Sequence, residues 1–183
     1  MPHDRPSHPR WRFLPSDHEG GHEVNQIVPA KRQSTDLAAA EMQDYVTMLI
    51  EGQMFGIPVL TVQDVLGPQK ITRIPLAPRE VAGSLNLRGR IVTAIDVRLR
   101  LDLPRRAENN KGMSVVVDMG GELYSLMVDS VGEVLSLPAA KFERNPPTLD
   151  LKWREFSMGI YRLQDKLLVV LDVAKLLDFT RSE

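Results

Sequence analysis

Few residues in this chain are of a type that does covalent chemistry. There is no cysteine, and the four histidines (His3, His8, His18 and His22) all lie near the N-terminus. The commonest general base and the most reactive nucleophile are therefore missing from the rest of the sequence. Histidines scattered among prolines do not hold a fixed coordination geometry, so no metal is expected. Asp96 and Asp172 are the carboxylates a hydrolytic pair would use. Each holds the same place in a repeat, directly before an expected short helix, and helix capping, worth about 1 kcal/mol, explains both. Ser84, Ser114 and Ser125 leave a serine–lysine arrangement formally open, but nothing marks a nucleophile elbow or a phosphate loop. The expectation is a non-enzymatic chain without a cofactor.

Charge is the other source of chemistry. From Arg73 to Lys111 the basic residues Arg73, Arg79, Arg88, Arg90, Arg98, Arg100, Arg105, Arg106 and Lys111 outnumber Glu80, Asp96, Asp102 and Glu108. A nucleic-acid surface would add aromatic side chains for base stacking, and none occurs between Phe55 and Tyr124. The run reads instead as a solvated basic face, or as one that meets an acidic protein surface. Within it, Arg88-Gly89 stands at the turn of a hairpin, between Gly83–Leu87 and Arg90–Asp96. Leu85, Leu87, Ile91 and Ile95 recur at the period of a strand with one buried face. A charged side chain at a turn is usually just solvated. Whether Arg88 does more than that is the question the elements around it must answer.

Those elements are short. The chain has 183 residues, 43% of them hydrophobic, with a formal net charge of −1, which suits a globular domain and not a general binder of polyanions. No apolar run approaches the roughly 18 residues of a membrane helix, and the polar first residues do not resemble a secretory signal. Residues 1–42 read as a disordered or weakly structured tail rich in proline and charge, with one or two helical turns over 36–44. Strands are expected over 45–50, 53–60, 71–74, 114–119, 122–128, 160–163 and 166–171, with the matching segments 62–65 and 131–135 following the second and fifth of these. Short helices are expected over 97–101 and 173–179, and 138–156 reads as irregular. A folded region from 43 to 183 follows.

That region is duplicated. Gln53–Ile57 matches Glu122–Leu126, and Val62–Leu66 matches Val131–Leu135. Gly83, Leu87, Ile91, Ile95, Asp96 and Leu101 match Gly159, Leu163, Leu167, Leu171, Asp172 and Leu177. The offset is about 69 residues early and about 76 late, so the second unit has the longer segment before its last hairpin. Each unit, about 43–107 and about 112–183, reads as a small barrel, because an open sheet of that size exposes its edges. Exchange of a strand between the units is left open. At the hairpin tip Arg88-Gly89 faces Gln164-Asp165, so the turn itself does not demand an arginine.

Phe55–Val65, then Ile71-Thr72-Arg73-Ile74-Pro75, then Gly83–Val92 and Asp96 closely resemble the CheW family of chemotaxis coupling proteins, over about Tyr45 to Phe179. The second half keeps a looser family pattern at Val128-Asp129-Ser130-Val131. The resemblance implies a mainly β fold of two five-stranded SH3-like β-barrels packed together, with short helices after the repeat hairpins. It implies a cytoplasmic, non-enzymatic adaptor in a multi-protein signalling array, joining the chemoreceptor cytoplasmic tip to the regulatory domain of a histidine kinase. A non-chemotactic kinase pathway, or a small enzyme on an SH3-like scaffold, is the alternative. Carried over by position, Arg88 and Gly89 match hairpin residues associated with partner binding. Val62 matches an apolar groove residue, Asp64 the acidic partner of that arginine, and Ile91 a further contact. For Val62 and Ile91 the alternative is ordinary core packing. Pro58 departs from the family, which commonly has an acidic residue there.

Overall fold

The structure, a computed structural model, describes residues 41–107 and 109–179. The expectations for the tail, its histidines and the start of the 36–44 helix fall outside those residues. The end of that expected helix is corrected: Met42–Ile50 is strand β1. β1 turns at Glu51-Gly52 into β2 (Gln53–Pro58), and a 3-10 turn over Val59–Thr61 leads to β3 (Val62–Leu66). Pro58 ends its strand beyond Gly56, the last residue that pairs on the other side, so its missing N–H lies outside that ladder. β4 (Val81–Leu87) and β5 (Arg90–Asp96) form the central hairpin, followed by α1 (Val97–Arg100).

The pattern then repeats. β6 (Met113–Met119), β7 (Glu122–Val128) and β8 (Ser130–Pro138) are followed by α2 (Leu151–Glu155), β9 (Ser157–Arg162), β10 (Leu167–Leu171) and α3 (Val173–Leu177). Helix α2 lies in the stretch expected to be irregular. It adds the extra length of the second unit, and Asp150 caps it by accepting from the Lys152 N–H. Asp96 and Asp172 cap α1 and α3 in the same way, accepting from Leu99 and Lys175.

The strands form two five-stranded sheets, in the orders β8-β1-β2-β10-β9 and β3-β6-β7-β5-β4. Each repeat gives two strands to one sheet and three to the other, and the exchange is reciprocal. The boundary near 107–112 therefore separates the sequence repeats and does not separate the sheets. Two junctions, β10 with β2 and β5 with β7, are parallel and join one repeat to the other.

Neither sheet is closed by pairing of its end strands, so the expected barrels are open sheets. The strand expected over 71–74 shrinks to a single bridge, Thr72 with Ser84, and Glu143 with Ile160 is its counterpart. Pro75 and Pro78 cannot donate to a longer ladder. At both bridges the passing backbone crowds a glycine. A Cβ on Gly83 would run into the Thr72 carbonyl, and one on Gly159 would sit 2.5 Å from the Glu143 carbonyl oxygen.

The largest apolar cluster is shared between the sheets. Met48, Ile50, Phe55 and Ile57 meet Ile95, Val115, Val117, Leu126 and Val128 in it, and Val97 and Val173 anchor the two equivalent helices. Smaller clusters line each sheet separately: Tyr45, Tyr161, Leu168 and Val170 in one, Leu85, Val92, Ala94 and Val116 in the other.

Candidate interaction site

Two residues far apart in sequence meet at the tip of the central hairpin. Arg88 (φ 52°) and Gly89 (φ 86°) both adopt positive φ, the geometry of a two-residue turn whose twist matches the strands it joins. The Asn86 side-chain oxygen accepts from the Gly89 N–H at 2.8 Å and fixes the turn. Arg88 is 83% exposed and reaches Asp64 on β3, Nη2 to Oδ2, at 3.1 Å. β3 and β4 are opposite ends of the sheet order, so the sheet curls far enough to bring its two edges together at this pair. Leu66 and Leu87, close neighbours of the two charges, pack against that sheet's own small cluster.

The other expected site residues are placed differently. Val62 lies two residues before Asp64, but the ladder with β6 slips between them. Val62 is thereby half-buried against the shared core, so core packing accounts for part of its role. Ile91 is 80% exposed. The one-faced alternation expected for the hairpin fails there, because Val92 and Ala94 are the residues that face the sheet's own cluster. Ile91 occupies the other face of β5, at the end of the strand beyond the shared core, whereas Ile95 on that face is buried in it. Arg90 next to it donates to the Gly121 carbonyl at 3.4 Å, tying this tip to the β6–β7 turn.

Most of the basic run seen in sequence is used inside the fold. Asp129, at the junction of β7 and β8, accepts from Arg98 Nε and Nη2 at 2.7 Å, from Arg106 Nε at 3.1 Å and from the Glu51 N–H at 2.8 Å. Burial pushes the Asp129 carboxyl up, but these donors outweigh it and hold the group below the usual carboxylate range. Arg98 is raised in turn, chiefly by its hydrogen bonds to Asp129. Arg100 donates to the carbonyls of Lys175, Leu176 and Asp178 at the end of α3, and its guanidinium lies over Phe156 and Phe179. Sequence reasoning assigned none of these roles, since nothing local links Arg98 to Asp129 or Arg100 to a helix end dozens of residues away.

This arrangement can bind but has little means to catalyse. Its groups are an exposed guanidinium, a half-buried carboxylate and apolar side chains, while Ser114 and Ser125 are buried in strands. The sequence pattern of the CheW-like domain matches residues 44–181. The chain belongs to the CheW-like family. Among relatives, it is 30% identical over 135 residues to the chemotaxis protein CheW of Klebsiella aerogenes, covering 74% of this chain and 81% of that protein. It is 26% identical over 137 residues to CheW of Helicobacter pylori, covering 75% and 82%. The crystal structure of the scaffolding protein TtCheW from Thermoanaerobacter tengcongensis matches with a TM-score of 0.69 at 27% identity, over 76% of this chain and 95% of that one. The two packed sheets are thus the two-part SH3-like fold of CheW. CheW-family proteins are scaffolds in chemotaxis and not enzymes, and the non-enzymatic expectation rests on that membership.

Proposed function

We propose that this CheW-like chain is a cytoplasmic adaptor that couples chemoreceptors to a histidine kinase, with Arg88, Gly89, Asp64, Val62 and Ile91 in the partner-binding surface. The observation that carries the reading is Arg88 itself. A two-residue turn of this geometry favours Asn, Asp or Gly at its first position, and a solvated arginine there gains the fold little. Its ion pair with Asp64 is open to solvent at the arginine end, and such a pair is worth about 0–1 kcal/mol. The pair instead sets the direction of a charged tip beside the exposed Ile91, a combination of anchor and charge that suits an amphipathic helix of a receptor tip. No helix among the described residues is long and apolar enough to cross a membrane, so association with receptor arrays would run through these protein contacts.

Reconstitution with receptor and kinase tests this. Arg88→Glu should sharply reduce receptor-dependent kinase activation while the thermal midpoint shifts by no more than a few degrees. Undiminished activation by a folded Arg88→Glu protein would remove Arg88 from the surface.

A further inference from the structure

We propose that the hollow beneath residues 71–79 is a second docking groove, taking an acidic segment of a protein partner that carries a large apolar side chain. The hollow has a volume of about 680 Å³ and is floored by Val81, Ala82, Leu99 and Met127. It lies at the start of β4, whereas Arg88 follows the end of that strand. At strand rise the two places are about 20 Å apart, so the groove is separate from the tip.

Three observations select the occupant. First, the basic run from Arg73 to Lys111 is largely consumed within the fold. Arg98 and Arg106 bind Asp129, Arg100 holds the end of α3, Arg88 pairs with Asp64, Arg90 meets a carbonyl and Arg79 bonds to Glu80 and Asp102. Arg73 and Arg105 are exposed and make no hydrogen bond or ion pair among the described residues, and both line this hollow. The lining also holds Asp96, whose carboxylate is committed to the Leu99 N–H, so the two unneutralised guanidinium groups complement a carboxylate-bearing segment.

Second, the loop over the hollow is strained and apolar. Leu76 sits at φ 62° with its side chain fully exposed, and Ile74 beside it is 43% exposed. A leucine in left-handed backbone costs the chain free energy, and an apolar partner surface would recover some of it. Third, no aromatic side chain lines the hollow, which removes the stacking platform a nucleic acid would use.

The test is selection of binding peptides from a random display library by the full chain, followed by titration of the selected peptides. Enriched sequences should place Leu, Ile, Phe or Met next to Asp or Glu. Their affinity should fall at least tenfold with Arg73→Glu/Arg105→Glu and with Leu76→Ser, and should weaken as salt rises. Arg88→Glu should leave the titration unchanged, which keeps this groove's failure distinct from failure of the receptor-coupling reading. Enrichment of neutral or basic sequences, or acidic peptides whose affinity ignores both variants, would overturn the proposal. So would sedimentation of the chain with phosphatidylglycerol vesicles that depends on Arg73 and Arg105 in place of any selected peptide.

Discussion

Arg88 and Asp129 show two opposite uses of charge. Arg88 is exposed, pairs with one carboxylate and occupies left-handed backbone, which costs a non-glycine residue about 1 kcal/mol or more. Replacing it by Asn, which tolerates that backbone, should therefore leave unfolding free energy unchanged or raise it by up to about 1 kcal/mol. A loss of more than that in urea titration would make Arg88 a structural residue. Asp129 is half-buried among Arg98, Arg106 and the Glu51 N–H. Asp129→Asn leaves two partly buried guanidinium groups without their carboxylate, and a loss of about 3 kcal/mol is expected. The Asp129 carboxyl is held below its unfolded value, so its contribution is complete above the unfolded value of about 3.9 and fades as pH falls through the lower folded value. Melting curves of wild type and Asp129→Asn should differ at pH 7 and converge in that acid window. A gap that stayed constant down to pH 2 would mean the donors do not act on the charge. Arg88 could be singled out in sequence because its repeat counterpart is Gln164. The partners of Asp129 could not, because they come from three separate parts of the chain.

At the scale of elements, the hairpins and the helices capped by Asp96 and Asp172 were readable because each rests on local chemistry: alternation, a turn residue, a capping carboxylate. What was not readable depends on neighbours. The 71–74 strand is reduced to one bridge by the prolines that follow it, and α2 has too little periodicity to stand out between Pro147 and Ser157. Ile91 fits an alternating strand in sequence, yet is exposed because it lies at the end of β5, beyond the shared core. The matched glycines are a similar case. Their recurrence was visible, but its cause is the crossing segment packed against each one. Gly83→Ala and Gly159→Ala should each destabilise by at least about 2 kcal/mol, since a carbonyl in both cases and an aromatic ring at Gly159 would have to move. Gly52→Ala, where a Cβ meets nothing within 4 Å, is the comparison. It should cost only the backbone strain of its turn, about 1 kcal/mol. Equal losses at all three glycines in denaturant titration would show that crowding is not what selects Gly83 and Gly159.

For the whole molecule, the reciprocal exchange of strands means that neither sequence repeat contains a complete sheet. Residues 41–111 expressed alone should show no cooperative unfolding transition. Mixing them with residues 112–183 should restore one, because each fragment supplies strands and shared-core side chains the other lacks. A cooperative melt from either fragment alone would mean the halves are independent after all. The same interleaving governs the order in which the chain can fold as it leaves the ribosome. β3 through β7 are consecutive, so the sheet bearing the Arg88 tip has all its strands once Val128 has emerged. The other sheet starts with β1 and β2, yet β2 has no parallel partner until β10, more than a hundred residues later. The first strands made are the last to be completed, and until then their apolar faces are a surface for chaperones to cover.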